Sequence, residues 1–354
     1  MEKKILERIE KVQRSVDQWL SPDNYTLKEA IDKTVNDGHF SFQDVKYQIQ
    51  TLKKKLNKEE LSYWAEQAGL KSTQNQKTVM CLHAGNLPLV GVQDILAIAL
   101  SGHRYLGKLS RKDSYLPQTL LEILRKENLI DGVWSVELDD LKGNRSDAVM
   151  FSGSTSTAGP VIARLNELGI ATDETPRLLR TAHFSIALIE DNQPDTMHNL
   201  ANAVFRYGGK GCRSVAVVVA PFSLGSSKCS FTDYVELFWL KQPQHEKAPP
   251  ALYHRYAYNK AAGKEQAWLD DFLIEETEME PVDSFIVHWV KGERYKAAEL
   301  ANRYKSSLQS VYVTNLSVDV PNLPVSPELL SDAQQPPVWW KPDGVDPLKW
   351  LGDL

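Results

Sequence analysis

Residues 207–220 read YGGKGCRSVAVVVA. Three glycines, Gly208, Gly209 and Gly211, crowd the N-terminal side of one cysteine, Cys212. Before them, PDTMHNLANAVFRY carries a helical pattern. After them, VAVVV is a short β-branched run of the kind that forms a buried strand. The pattern predicts a helix, a glycine-rich turn holding the thiol, and a strand. Glycine lets backbone approach closely and take positive φ, which suits a nucleophile that must admit a substrate carbonyl. Arg213 follows directly. A guanidinium facing the sulfur would favour the thiolate. The plain alternative is a small buried residue in a loop, the usual place of a lone cysteine.

Working outward, the chain alternates strands and helices. TVMCLHAG (78–85), RYLGKLS (104–110), DAVMFSG (147–153) and FSIALIE (184–190) read as four strands. NLPLVGVQDILAIALSG, YLPQTLLEILRKE and STSTAGPVIARLNELG supply the helices between them, with Pro160 in the first turns of the last. This spacing implies a parallel sheet with crossover helices, and ligands of such sheets bind at the carboxyl ends of strands. From about Asp191 a second α/β unit begins. Its strands are SVAVVVA, DSFIVHWV and SVYVT, and its helices SFTDYVELFWL and ERYKAAELANRYKS. Residues 242–280 show little periodicity. Residues 1–75 are polar and helical in pattern, and LKKKLNKEELSYWAEQAGL (52–70) reads as one amphipathic helix. After Val320 the tail is proline-rich. Asp346-Pro347 reads as the cap and first turn of a last helix, and Trp339, Trp340 and Trp350 as its fastening to the body.

Composition bounds the function. A chain of 354 residues builds one large or two medium domains. Its 41 basic and 46 acidic residues leave a net charge of −5, spread without a basic block, which argues against nucleic acid. The opening MEKKILERIEK is too charged for a secretory signal, and no apolar run approaches a membrane span. Three scattered cysteines, none in a CxxC pair, give neither a disulfide framework nor a zinc site, so no metal is expected. A reducing cytoplasm is the expected location. GxGxxG, HExxH and GxSxG are absent, and no Ser or Thr follows the lysine of GGKG.

Four stretches nevertheless occur in an order that resembles the aldehyde dehydrogenase superfamily. HAGNLPLV resembles its first strand and PWNxP-type loop, and LGKLSR its KPxE-type strand. FSGSTSTAG resembles its FTGSTxxG turn, and NAVFRYGGKGCRS its NxGQxC nucleophile loop. GNLPLVG, YGGKGCRSV and QQPPVWWKPDGVD are closer to the acyl-CoA reductase (LuxC-like) branch. The likeness runs from about Thr78 to the C-terminus. It implies a helical N-terminal region (1–76), a Rossmann-type parallel-sheet cofactor domain (77–190), an α/β catalytic domain (191–320) and a packed tail (321–354).

Carried over residue by residue, the resemblance makes Cys212 the nucleophile. It makes Asn86 the amide that donates to the oxyanion, which fits the need for a neutral donor at developing charge. As a residue two before Pro88, Asn86 also reads as a plain turn former. Lys108 matches the lysine on the adenine ribose, Ser154 the serine at the pyrophosphate, and Gly153 gives clearance; Ser110 lies in the same cofactor loop. Two departures matter. Arg111 stands where NAD-type members often carry a glutamate for the ribose 2′-hydroxyl, so NADP(H) is the expected cofactor. A solvent-facing charge is the alternative for Arg111. Where hydrolytic members keep the glutamate that activates water, this chain reads RLLRTAHFSIAL, without a carboxylate. His183 near this stretch reads as a loop histidine. Glu276, Glu278 and Glu280 all precede Pro281 and none is singled out as the nicotinamide-ribose contact.

The expectation is NADPH-dependent reduction of an acyl thioester, an acyl-CoA of fatty type or an acyl carrier, to the aldehyde. The alternatives are a hydrolytic aldehyde dehydrogenase and a catalytically silent, nucleotide- or partner-binding subunit. Whether the chain forms a homo-oligomer, or works with an enzyme that supplies or consumes acyl groups, stays open.

Overall fold

The computed structural model describes residues 2–73, 75–242, 247–269, 271–279, 281, 285–317 and 319–354. The chain divides into two compact units: residues 1–181 with 337–354, and residues 182–336.

The first unit opens with helices α1 (Lys3–Trp19), α2 (Tyr25–Asn36), α3 (Phe42–Lys55) and α4 (Lys58–Gln67). The stretch expected as one helix over 52–70 is two. Asn57 breaks it by capping α4, its side chain accepting the Glu60 N–H. Then come β1 (Thr78–Leu82), α5 (Val92–Ser101), β2 (Arg104–Lys108), α6 (Tyr115–Lys126), β3 (Gly132–Ser135), β4 (Ala148–Ser152), α7 (Thr155–Glu167) and β5 (Arg177–Arg180). Among the described residues these strands make one parallel sheet in the order β3-β2-β1-β4-β5. Both faces of its central strands are covered, which is why β1 (TVMCL) and β4 (AVMFS) are mostly apolar. Val79 and Cys81 face a core shared with Trp19, Trp64 and Leu120, whereas Met80 and Leu82 face Leu165 of α7. The tail returns to this unit. Asp346 caps α12 (Pro347–Gly352) and also accepts from Trp64 Nε1 at 2.9 Å; Trp339 donates to Glu60 at 2.6 Å. Trp350 packs against the same core.

The second unit holds β6 (Phe184–Leu188), α8 (Pro194–Phe205), β7 (Val215–Ala220), α9 (Phe231–Lys241), α10 (Pro250–Ala261), β8 (Gln266–Leu269), β9 (Phe272–Glu276), β10 (Ile286–Lys291), α11 (Arg294–Arg303), β11 (Leu308–Val313) and β12 (Pro327–Leu329). Its sheet runs β12-β11-β6-β7-β10-β9-β8, parallel except for the β8–β9 pair. FSIALIE, expected as the fourth strand of the first sheet, is β6 and lies inside the second, between β11 and β7. Its burial on both faces requires such a central place: Ile186 and Leu188 meet Val217 and Val219 on one side, Ala187 meets Val218 on the other.

Candidate active site

In the first sheet the strand order reverses at β1. The chain runs β1-β2-β3 towards one edge and returns to β4-β5 on the other side, so β1 and β4 flank the switch point, beyond whose carboxyl ends sheets of this kind bind ligands. Asn86 lies exposed in the loop after β1, and Gly153 and Ser154 follow β4. The Gly153 N–H bonds the Arg180 carbonyl at 3.2 Å, and a Cβ at Gly153 would run into the Phe151 ring. Ser154 has the extended backbone of a cap (φ −77°, ψ 152°), yet its hydroxyl caps no amide of α7. It bonds instead the hydroxyls of Ser156 at 2.9 Å and Thr157 at 3.0 Å. The Thr157 and Ala158 N–H groups bond the Ser154 carbonyl at 3.1 and 3.2 Å, so at the exposed start of α7 the amides placed to meet an anion are those of Thr155 and Ser156.

Lys108 ends β2, half-buried; burial first, then Arg111, lower its pKa, against the pull of Glu137. Ser110 Oγ accepts the Lys112 N–H at 3.2 Å and lies hard against Gly85. Arg111 is exposed and forked onto Glu137, Nε at 2.7 Å and Nη2 at 2.5 Å from its two carboxylate oxygens. That bond holds the Arg111 pKa up and the Glu137 pKa down. The sequence reading missed Glu137. Its one signal was the acidic stretch VELDD directly after β3.

Asp94 of α5 and Arg180 of β5 form a buried pair, 2.8 and 2.5 Å on the two oxygens. His83 is buried beside it and hydrogen-bonds Tyr105 at 2.8 Å; burial lowers its pKa to about 4. It is therefore a neutral structural group at neutral pH.

In the second unit α8 ends at Phe205, and the chain turns through Tyr207, Gly208 and Gly209 with φ of 58°, 66° and 72°. Such left-handed backbone favours glycine. A tight turn follows: Ser214 N–H bonds Gly211 O at 2.8 Å, and Gly211 N–H bonds Ser214 Oγ at 3.2 Å. Ser185 Oγ donates to the Cys212 carbonyl at 3.0 Å, tying the turn to β6. Cys212 is partly exposed at the entrance to β7. Burial raises the pKa of both other cysteines, Cys81 far up and Cys229 less so. Arg213 interacts electrostatically with Cys212, and its guanidinium also holds other partners. It is buried, with Nε on the Ala333 carbonyl at 2.7 Å and Nη2 on Glu328 at 2.9 Å. The partly buried Glu328 carboxylate pairs with the buried guanidinium.

RLLRTAHFSIAL is β5, a short link and β6; His183 lies exposed in the link, its ring 5.5 Å from Phe184. Of the three glutamates before Pro281, Glu276 accepts the Leu224 N–H at 2.5 Å, Glu278 pairs with Lys296 at 2.8 Å, and Glu280 lies outside the described residues. The neighbouring Glu275 is buried. Burial would raise its pKa, but hydrogen bonds from His288, Arg255 and Asn259 outweigh it and bring it down to about 2. Among the described residues no cluster of His, Cys, Asp and Glu could hold a metal ion, and no helix is long and apolar enough to cross a membrane.

No protein-family model matches the sequence, and no curated protein matches it. Solved structures do match. Aldehyde dehydrogenase 21 from Physcomitrella patens, in complex with the reaction product succinate, superposes with a TM-score of 0.66 at 12% identity, over 98% of this chain and 84% of that one. The fold is that of the aldehyde dehydrogenases. An NADP-dependent glyceraldehyde-3-phosphate dehydrogenase from Bacillus halodurans, complexed with NADP, gives 0.63 at 14% identity over 95% and 80% of the two chains. An NAD-dependent aldehyde dehydrogenase from Sinorhizobium meliloti gives 0.62 at 15% identity over 88% and 71%. At such identities the likeness is one of architecture.

Proposed function

We propose that this chain is an NADPH-dependent oxidoreductase that reduces an acyl thioester to the aldehyde through Cys212. One observation carries the reading: in an aldehyde dehydrogenase fold, a partly exposed cysteine follows a left-handed glycine turn and stands at the head of a central strand. The stretch Arg177–Leu188, without a carboxylate, supports acyl transfer to a thiol over hydrolysis.

In this reading the Cys212 thiolate attacks the carbonyl carbon of the thioester. A carbon–sulfur bond to Cys212 forms, the bond to the coenzyme A or carrier sulfur breaks, and the departing thiolate takes up a proton. Asn86 donates its amide N–H to the carbonyl oxygen as charge develops there. The residues after β1, β2 and β4 fit a dinucleotide: the uncapped first turn of α7 and Ser154 for the pyrophosphate, Gly153 for clearance, Lys108 and Ser110 towards the ribose. When bound, the nicotinamide supplies the hydride. Arg111 is assigned to the 2′-phosphate, which must displace Glu137 from its fork. The substrate is a coenzyme A or carrier thioester and the setting the cytoplasm.

Incubation with acyl-CoA and NADPH tests this. Aldehyde, free coenzyme A and NADP should appear in equal amounts. Formation of carboxylic acid from aldehyde and NADP without coenzyme A would instead favour a hydrolytic dehydrogenase.

A further inference from the structure

The loop that carries Asn86 is held unusually tightly. At its start the His83 N–H bonds the Lys108 carbonyl at 3.1 Å. Gly85 then lies so close to Ser110 that a Cβ would collide with the Ser110 hydroxyl. At its end Gly91 presses on the His83 ring, where a side chain would collide as well. Between these pins sits Leu89, buried and left-handed at φ 59°. A leucine keeps that conformation only where its surroundings over-determine it. The group that does so is Asp113. Its Oδ2 accepts the Leu89 N–H at 2.6 Å. The turn Ser110–Asp113 that brings it there is closed by the Asp113 N–H on the Ser110 carbonyl at 3.2 Å.

Asp113 is otherwise costly where it stands. It is 3% exposed, and its Oδ1 is buried with no hydrogen-bond partner among the described residues. A buried carboxyl with a single amide donor is a poor choice for stability alone. Burial lifts its pKa to about 7, against the opposing Leu89 N–H. Either protonation state accepts that N–H at Oδ2.

We propose that Asp113 is a positioning residue for catalysis: by fixing the Leu89 amide it sets the Gly85–Leu89 loop in the geometry that presents the Asn86 amide. The inference rests on the reading of Asn86 as oxyanion donor. Asp113 touches no reacting atom; it acts through the loop, and its loss affects the acyl-transfer step rather than nucleotide binding.

The test is a double-mutant cycle on the full chain. Single-turnover acylation of Cys212 by dodecanoyl-CoA is followed by intact mass, and NADPH affinity by fluorescence titration. Asn86→Ala should slow acylation roughly a hundredfold. Asp113→Ala should slow it roughly ten- to a hundredfold, as misplacement of a catalytic group does, with NADPH affinity unchanged. Asp113→Asn, which keeps an acceptor oxygen, should recover most of the rate. In the Asn86→Ala background, Asp113→Ala should cost nothing more. Asp113→Ser, too short to reach Leu89, takes the place of the alanine variant if that one does not fold. An equal loss from Asp113→Ala in both backgrounds, or an Asp113→Asn variant as slow as alanine, overturns the inference while leaving the Asn86 reading intact. An Asn86→Ala enzyme of full rate overturns both.

Discussion

Replacing Arg180 by methionine strips Asp94 of both its hydrogen-bond donors while leaving the carboxylate buried. The pair's side chains are 5% and 7% exposed, so water cannot take the place of the guanidinium. Nor can the neighbours: Cys81 is held neutral by burial, and His83 titrates only near 4. A buried pair broken on one side costs about 3–5 kcal/mol, whereas replacing both partners by apolar groups of similar volume is close to neutral. Arg180→Met should therefore lower unfolding free energy by about that amount. At about 2–4 °C per kcal/mol for a body of this size, the transition of the first unit should fall by roughly 6–20 °C. Asp94→Leu with Arg180→Met together should lie within about 2 kcal/mol of the parent. Because the Arg180 carbonyl also accepts the Gly153 N–H, the single variant should loosen the Ser152–Thr157 turn and weaken nucleotide binding. Urea unfolding of the parent, the two single variants and the double variant reads the cycle. A single variant within about 1 kcal/mol of the parent, or a double variant as unstable as the sum of the singles, would refute the reasoning.

Three further outcomes are expected. The Asp113 carboxyl keeps its proton to about pH 7 when folded but loses it near 3.8 when unfolded, so its contribution to stability is complete below pH 3.8 and is lost as pH rises through 7. Asp113→Asn should accordingly gain on the parent between pH 4 and pH 8, by an amount on the order of 4 kcal/mol; urea unfolding at both pH values checks this, and a constant difference contradicts it. Glu137→Gln frees Arg111 and should raise NADPH affinity roughly two- to fivefold, the scale of an exposed ion pair, while Arg111→Glu should reverse the preference towards NADH; titration of both nucleotides decides. Asp346→Ala removes the cap of α12 and the acceptor of the Trp64 indole and should cost about 2–3 kcal/mol, a lost cap plus a lost buried bond, in the same unfolding assay.

The Cys212 turn was legible because its signals are local: glycines that take positive φ, then a β-branched run too short for a helix. The strand β1, the helix after it and the Asp346 cap were legible for the same reason. What escaped depended on contacts distant in sequence. GVWS (132–135) and RLLR (177–180) are four-residue edge strands, each with one apolar side chain exposed (Val133 and Leu179), so neither shows a clear apolar pattern. Within 242–280, α10, β8 and β9 lay hidden because α10 buries little more than Leu252 and Asn259. FSIALIE has the pattern of a strand in either sheet; only its pairing with β7 and β11 assigns it. The same holds for charges. The partners of Arg111, Arg213 and Asp113, namely Glu137, Glu328 and the Leu89 amide, lie 26, 115 and 24 residues away.

The central claim is that Cys212 accepts the acyl group. Its most direct measurement is intact mass of the chain after incubation with acyl-CoAs in the absence of nucleotide, followed by peptide mapping, on the parent and on Cys212→Ala. The account expects one acyl adduct per parent chain, mapped to Cys212, and none on the alanine variant, whose NADPH affinity should be unchanged. Equal acylation of the alanine variant, or an adduct on Cys81 or Cys229, would contradict it.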